Sequence, residues 1–355
     1  MARPFVSVLI DTYDHERFIE QAIASVLEQD FPVSEREILV VDDGSTDKTP
    51  DILRKYEPGI RVLRKQNGGQ ASAFNFAIPH CRGEIVSFLD GDDWWAQDKL
   101  THVVNAMNAD PKVGIVGHGI VTVQRDGMQR SETLRDNFQF QANSLAGAHL
   151  FRRRGAFLGT SRMTIRTELL RRIGPVPEQI KVQADEYLFT LACALMVAHV
   201  LPCALTFYRM HDQNRFQFAT FDQMKLRHKQ ESLAELDRTL TEKLDEIGID
   251  PLVSRAVLAY THHSAEQLRL ALDGGWPWET VTTEWQLYRV VHPEAPLSHR
   301  LFKCMTLVAA LFAAPRSYYR AQRWLSQNAF YLRTRERLFP VPEMPHLQKD
   351  WRPHP

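Results

Sequence analysis

The chain has 355 residues, and its 43 Lys and Arg residues equal its 43 Asp and Glu residues in number, so its formal net charge is zero. This balance argues against nucleic acid as the main partner, because nucleic-acid surfaces need an excess of basic residues. The length suits one large domain with an appendage. Four scattered cysteines without a Cys-x-x-Cys pair fit a reducing compartment and argue against a zinc site.

Short apolar runs rich in β-forming residues alternate with helix-like segments over the first third of the chain. The predicted strands cover residues 5–10, 37–41, 60–63, 84–89 and 113–116. The predicted helices cover residues 18–27, 45–56, 68–80 and 96–108. This alternation predicts an α/β fold with a mainly parallel sheet, right-handed crossovers and helices on both faces.

Acidic residues follow three of these predicted strands. Asp11 ends the first, Asp42 and Asp43 end the second, and the run Asp90-Gly91-Asp92-Asp93 ends the fourth. Ligands of such sheets bind beyond the carboxyl ends of the strands. Clustered acids repel one another unless a cation neutralises them, and Mg²⁺ or Mn²⁺ with a diphosphate suits this role. The alternative interpretation is a solvated acidic turn bent at Gly91.

The usual nucleotide-binding loops are missing from the sequence. No Gly-x-Gly-x-x-Gly follows the first strand, and no Gly-Lys-Ser/Thr loop is present. We therefore expect a nucleotide to be held by acids and a metal ion rather than by a glycine-rich loop.

The order and spacing of these motifs resemble the inverting glycosyltransferases of family 2, which have the GT-A fold. The matching segments are Val6–Ile10 with Tyr13, Ser25–Gln29, Val40–Asp47, Asn67–Gln70 with Asn75, Gly83–Val86 and Leu89–Asp93. The match extends over about the first 100 residues and is thinner over residues 101–215. Two departures are Asp11, where many members have Pro, and Phe74, where Arg is frequent.

The resemblance implies a nucleoside-diphosphate sugar as the donor, commonly a UDP-sugar. It places at the nucleotide Asp11, Tyr13, Asp43, Asn67, Gly68, Asp90 and Gly91. It further implies that Asp90 and Asp92 bind Mg²⁺ or Mn²⁺ on the diphosphate, and that Asp43 contacts the base.

Two acids, Asp185 and Glu186, precede the apolar run 188–197. From the residues alone they could simply complement the dipole at a helix start. The resemblance implies instead that one of them is the catalytic base; we align Asp185 with that position and keep Glu186 as the alternative. It also places His211 at the metal or the diphosphate. On a strand, Arg209 and His211 would face the same way.

The last third of the chain differs in pattern. Residues 223–247 and 254–272 predict charged helices, and helices resume near residue 280. The apolar stretch 301–314 is too short to span a bilayer. It predicts either a core helix of a helical appendage, which we favour, or a helix lying at a membrane surface. The proline-rich segment 339–355 predicts an extended tail.

These patterns predict a GT-A domain over 1–218 and a helical region over 219–355. Within the first, 1–100 would bind the nucleotide sugar and 101–218 the acceptor. The exposed aromatic residues of the helical region predict docking against the catalytic domain or a homo-oligomer contact. The first strand begins almost at once, without a signal peptide, which predicts a cytoplasmic protein with peripheral contact at the inner face of the membrane.

The function predicted is metal-dependent, inverting transfer of a hexose to a hydroxyl of a glycan or lipid-linked acceptor, as in polysaccharide biosynthesis. One alternative is a nucleotidyltransferase, which has a related sheet but usually carries a basic Gly-rich loop that this sequence lacks. The other is a non-catalytic glycan-assembly protein, although the full set of acids argues against it.

Overall fold

The computed structural model describes residues 5–57, 59–181, 183–211, 222–292, 295–338 and 347–352. The predicted boundary between 218 and 219 lies outside these residues, as does the predicted extended tail except for 347–352. Among the described helices, none combines the length and the hydropathy needed to cross a membrane.

The elements follow in chain order. The strands are β1 (Val6–Thr12), β2 (Arg36–Asp42), β3 (Arg61–Arg64), β4 (Ile85–Asp90), β5 (Trp94–Trp95), β6 (Val113–Val123), β7 (Gln129–Leu134), β8 (Phe138–Phe140), β9 (Thr164–Arg166), β10 (Val197–Arg209) and β11 (Leu347–Arg352). The helices are α1 (Ile19–Leu27), α2 (Thr49–Tyr56), α3 (Gln70–Ala77), α4 (Lys99–Ala109), α5 (Leu145–Arg154), α6 (Thr167–Ile173), α7 (Ala184–Leu195), α8 (Gln223–Glu246), α9 (Pro251–Asp273), α10 (Pro277–Val291), α11 (Leu297–Leu311), α12 (Pro315–Gln327) and α13 (Ala329–Leu338).

The strands form one mixed sheet in the order β11-β7-β6-β9-β4-β1-β2-β3, and β10 pairs with β5, β6 and β8. Strands β4, β1, β2 and β3 are parallel, as the alternation of strands and helices predicts. Strand β9 then inserts antiparallel between β4 and β6, and β7 continues antiparallel. The α/β architecture is thus confirmed, with a parallel N-terminal half and a largely antiparallel second half.

Alternating side chains of the parallel strands fill two cores, one on each face of the sheet. Val8 and Ile10 pack with α1, α2 and α4, whereas Leu9 packs with α3 and α7. This division follows from the two-residue period of a strand. Phe74 belongs to the second core, where it is fully buried with its ring 5.2 Å from that of Phe88.

The C-terminal helices α8 and α9 are part of that second core. Leu236 and Leu240 of α8 and Val257 of α9 are buried in the same apolar cluster as the side chains of α7. Helix α9 also packs on α5. Removing the chain after residue 211 would therefore expose the core of the catalytic domain.

Candidate active site

The three acid-ended strands meet at one edge of the sheet. In the β1–β4 pair, Asp11 lies opposite Asp90, and in the β1–β2 pair Thr12 lies opposite Asp42. Because these strands are parallel and in register, their carboxyl ends coincide. The predicted convergence of acids at one sheet edge is confirmed.

A cavity of about 540 Å³ opens at this edge. Its walls come from the strand ends, from the segment preceding α7 and from the two C-terminal helices α8 and α9. The lining residues are Asp11, Thr12, Tyr13, His15, Asp43, Gly69, Gln70, Ala73, Asp90, Asp92, Thr160, Lys181, Gln183, Asp185, Tyr208, Lys229, Leu233, Tyr260, Ser264, Gln267 and Leu268. The predicted residues Asp11, Tyr13, Asp43, Asp90, Asp92 and Asp185 are all among them.

Gln70, at the first turn of α3, joins the acids to the far side of the cavity. Its Nε2 donates to Asp90 Oδ1 at 3.0 Å and lies 3.5 Å from Asp11 Oδ2. The same nitrogen lies 3.3 Å from Thr160 Oγ1. Sequence reasoning did not select Gln70 as a site residue, although it ends the matching motif Asn67–Gln70.

Asp92 is paired with a histidine from the end of β10. His211 Nε2 lies 2.9 Å from Asp92 Oδ2, and His15 Nε2 lies 4.0 Å from the same oxygen. The His211 ring is buried against Phe18 and does not line the cavity. His211 therefore contacts the acids of the site through Asp92.

Ser161 anchors the remaining acids of the run. Its hydroxyl lies 2.6 Å from Asp93 Oδ2 and 3.2 Å from Asp90 Oδ2, and it accepts the Asp90 backbone N–H. Its carbonyl oxygen accepts hydrogen bonds from Trp95 Nε1 and from the buried Lys99 Nζ. Asp93 is fully buried and also accepts the Arg209 backbone N–H. It therefore holds Ser161 and the end of β10 in place beside the cavity.

Asp43 holds the turn that opens α3. Its carboxylate accepts hydrogen bonds from Lys65 Nζ at 2.7 Å and from the backbone N–H groups of Gly68 and Gly69. Gly69 adopts φ +86°, a left-handed conformation that favours glycine. Asp43 therefore fixes the glycine turn and at the same time faces the cavity.

The acids at the sheet edge differ in their proton affinity. Burial, with the charge of Asp92, raises the pKa of Asp11 to about 7. Burial and the charges of Asp11 and Asp92 raise the pKa of Asp90 well above its usual range. Burial alone would also raise the pKa of Asp92, but the His211 hydrogen bond and the charges of His15 and His211 lower it. Full ionisation of this cluster therefore needs added positive charge.

A divalent cation would fit these donors. The buried Asp11 Oδ1 has no hydrogen-bond partner among the described residues. Carboxylate oxygens are the ligands that Mg²⁺ and Mn²⁺ prefer. In the described part of the chain, no three His, Cys, Asp or Glu side chains are arranged to hold a metal ion by themselves. A cation at Asp90 and Asp92 would therefore take its other ligands from a substrate or from water.

Asp185 and Glu186 point in different directions from the start of α7. Asp185 lines the cavity, where its Oδ2 accepts the Thr160 N–H at 3.0 Å, and burial raises its pKa. Glu186 turns away and accepts hydrogen bonds from Gln183 Nε2 and from the hydroxyl of Thr261 on α9. Burial raises the pKa of Glu186 to about 7. Of the two candidates for the base, the geometry brings only Asp185 to the cavity.

Other predicted residues lie at the margin of the site. Asn67 is exposed and lies outside the cavity lining, and Gly68 contributes its backbone N–H to Asp43. Gly91 is buried, and a Cβ there would come within 3 Å of Thr12 Oγ1, so glycine is required for the close approach of the β1 and β4 ends. The Arg209 guanidinium lies over the Trp94 ring and donates from Nε to the Asp92 carbonyl oxygen, whereas His211 contacts the Asp92 carboxylate.

The wall opposite the sheet edge comes from α8 and α9. It presents Lys229, Tyr260 and Ser264 to the cavity. Burial lowers the pKa of Lys229, and within the described residues no carboxylate forms an ion pair with it. The sequence predicted that this region docks against the catalytic domain but did not single out these residues, because helical periodicity does not show which polar position faces a cleft.

Comparison with known proteins agrees with this architecture. The family model described as glycosyl transferase family 2 matches residues 7–173. A protein from Nostoc sp., described as an uncharacterized glycosyltransferase, is 30% identical over 228 residues, which are 60% of this chain and 67% of that protein. The beta-monoglucosyldiacylglycerol synthase of Nostoc sp. is 32% identical over 168 residues, 44% of this chain but only 36% of that protein.

The third relative is TarS of Staphylococcus aureus, a poly(ribitol-phosphate) beta-N-acetylglucosaminyltransferase. Its sequence is 38% identical over 98 residues, 26% of this chain and 17% of that protein. The crystal structure of TarS 1–349 with UDP-GlcNAc superposes with a TM-score of 0.61 at 20% identity, covering 90% of this chain and 92% of that chain. The predicted GT-A fold is thereby confirmed, and the chain belongs to glycosyl transferase family 2 and is a glycosyltransferase.

Proposed function

We propose that the protein transfers a sugar from a UDP-sugar to a hydroxyl group of a glycan or lipid-linked acceptor, with inversion and with Mg²⁺ or Mn²⁺ at the diphosphate. The observation that carries this proposal is that Asp90, Asp92 and Asp185 line one cavity. Asp185 is close enough for its charge to raise the pKa of Asp90. A base and a cluster of acids suited to a metal-bound diphosphate thus share one space.

The donor nucleotide would lie along Tyr13 and Asp43. Both residues line the cavity, and Lys65 Nζ and the N–H groups of Gly68 and Gly69 hold the Asp43 carboxylate in place. TarS, a relative of the same fold, binds UDP-GlcNAc, which supports a uridine nucleotide as the donor.

Asp90 and Asp92 would hold the divalent cation together with the diphosphate oxygens. When bound, the cation supplies positive charge to the departing diphosphate. Gln70 and Ser161 keep the Asp90 carboxylate in place through hydrogen bonds. His211 keeps Asp92 ionised by lowering its pKa.

Asp185 would act as the general base. It accepts the proton of the acceptor hydroxyl while that oxygen bonds to the anomeric carbon and the bond from that carbon to the diphosphate breaks. Its raised pKa, caused by burial, makes it a stronger proton acceptor than an exposed Asp. The Thr160 N–H orients the carboxylate. One displacement without a covalent intermediate inverts the anomeric configuration.

The test is a donor screen with acceptor fractions from bacterial glycans and glycolipids, run with Mn²⁺ and with EDTA. We expect UDP release with one UDP-sugar, dependence on the metal, and a product of inverted configuration by NMR. Pyrophosphate release would indicate a nucleotidyltransferase. Equal rates in EDTA would contradict the metal, and retention of configuration would contradict the single displacement.

A further inference from the structure

Positive charge is concentrated in the last described helices. Residues 295–338, which contain α11, α12 and α13, have eight basic residues and a single acidic one, Glu336. The basic residues are Arg300, Lys303, Arg316, Arg320, Arg323, Arg333, Arg335 and Arg337. Since the whole chain has no net charge, the rest of the molecule is acidic and this region stands out as its basic part.

The same helices expose an apolar stripe. Leu297, Leu301, Met305 and Val308 of α11, with Phe312 directly after it, follow one another at intervals of three or four residues and are all exposed. This spacing places them on one face of the helix. Phe312 is 88% exposed. A contiguous apolar surface of this kind indicates a binding partner.

The next two helices along the chain also expose aromatic and basic side chains. On α12, Arg316, Arg320 and Trp324 are exposed at intervals of four residues, so they share one face. On α13, Phe330 and Arg333 are exposed three residues apart. Apolar residues combined with Arg and Trp are typical of helices that lie in the interface of a membrane.

We propose that α11, α12 and α13 dock the protein onto an anionic lipid membrane. The stripe would enter the boundary between headgroups and acyl chains, and the arginines would bind the lipid phosphates. Charge complementarity favours this partner over a second copy of the chain. A two-fold contact through the same face would bring two basic surfaces together, which is unfavourable.

Docking would bring the membrane to the helical assembly that forms the second wall of the cavity. Lys303 of α11 pairs with the buried Glu284 of α10 at 2.6 Å, and Gln267 of α9 donates to the same carboxylate. Gln267 also lines the catalytic cavity. The docked helices are therefore connected through two polar contacts to the wall of the catalytic cavity that α8 and α9 form.

The experiment is co-sedimentation of the full chain with phosphatidylcholine vesicles, with and without phosphatidylglycerol. We expect binding to the anionic vesicles that weakens as salt increases. Arg316→Gln with Arg320→Gln should lower the partition coefficient roughly 30-fold, since each basic residue near the surface contributes roughly a fivefold factor. Met305→Glu with Val308→Glu should abolish binding.

Matched controls are available elsewhere on the surface. Val33→Glu and Leu252→Glu change exposed apolar residues outside the stripe, and Arg54→Gln with Lys55→Gln changes exposed basic residues of α2. All controls should bind like the wild type, and circular dichroism checks that each variant is folded. Equal loss in controls and stripe variants would overturn the proposal.

Two other results would also overturn it. The first is equal or absent sedimentation with neutral and anionic vesicles. The second is a dimer in light scattering that Met305→Glu with Val308→Glu dissociates, because the stripe would then bind a second copy. None of these readouts depends on the donor or the reaction, so this inference can fail while the proposed function stands.

Discussion

The two walls of the cavity differ in how their polar groups are positioned and charged. At the sheet edge, strand register places Asp11 beside Asp90, Asp92 follows in the turn after β4, and the charges of the three acids oppose one another. On the helix wall, Lys229, Tyr260 and Ser264 are placed by the packing of α8 and α9. The sheet edge therefore suits a strongly charged, metal-bound ligand, and the helix wall suits a polar ligand held by a few hydrogen bonds.

If this contrast is correct, substitutions at the sheet edge should have much larger effects than substitutions on the helix wall. The largest is expected for Asp92→Asn, which removes the acid that stays ionised in the cluster. Loss of its charge should cost several kcal/mol of transition-state stabilisation, or roughly 10³-fold or more in turnover. The measurement is the transfer rate with UDP-sugar and Mn²⁺.

Asp98→Asn is the control for this change, because Asp98 is exposed and lies outside the cavity. It should keep full activity. Unchanged turnover of Asp92→Asn would show that the sheet edge does not act on the diphosphate. The proposed contrast between a metal-binding sheet edge and a polar helix wall would then be wrong.

Asp185→Asn should have the next largest effect, a loss of roughly 10²–10⁴-fold in turnover with little change in donor affinity. Single-turnover rates and titration of UDP separate the two quantities. Glu186→Gln is the matched control, because its side chain turns to Thr261 rather than to the cavity. A large loss in Glu186→Gln with a small one in Asp185→Asn would reverse the assignment of the base.

Glu186 also connects α7 to the helix wall, and its protonation should affect stability. Burial raises its pKa from 4.5 to about 7 in the folded protein. The folded protein binds this proton more tightly than the unfolded chain does, which adds to the free energy of unfolding. This added stability is complete below about pH 4.5 and is lost as the pH rises through 7. The free energy of unfolding should therefore fall between pH 5 and 8.

Glu186→Gln mimics the protonated side chain, so the free energy of unfolding of this variant should fall less between pH 5 and 8 than that of the wild type. Urea titrations of both proteins at pH 5 and pH 8 make the comparison. Identical pH dependence in the two proteins would contradict the raised pKa of Glu186.

The smallest effect is expected on the helix wall. Lys229→Gln should lower kcat/KM for the acceptor roughly 3- to 10-fold, the value of about one hydrogen bond, and leave donor affinity unchanged. Lys225→Gln, one turn earlier and outside the cavity, is the control. A loss of donor affinity in Lys229→Gln would show that the helix wall also binds the nucleotide sugar.

The sequence predicted the sheet edge of the cavity better than it predicted the helix wall. Strand ends carry their acids to one edge whenever the strands are parallel, so Asp11, Asp42 and Asp90 could be placed together from the pattern alone. Strand β10 and the extension of β6 beyond residue 116 were not anticipated; this extension pairs with β7 and with β10, and β10 is distant from it in sequence. Nothing local marks such pairing.

The supporting residues were also beyond sequence reasoning. Gln70 and Ser161 reach the acids from segments 20 and 71 residues away from Asp90. Lys99 is fully buried with its Nζ 3.5 Å from the centre of the Trp95 ring, although lysine is rarely fully buried. Contacts between segments so far apart depend on the final packing.

The sequence by itself determined the alternation of strands and helices, the order of acids at the strand ends, and the position of Asp185 and Glu186 at a helix start. These features follow from local periodicity and from the shared direction of parallel strands. Only the tertiary structure decided that Asp185 faces the cavity while Glu186 faces α9, because neighbours on a helix point about 100° apart and the surrounding packing selects the direction. It also decided that α8 and α9 close the site, since their apolar faces complete a core begun by residues more than 200 positions earlier.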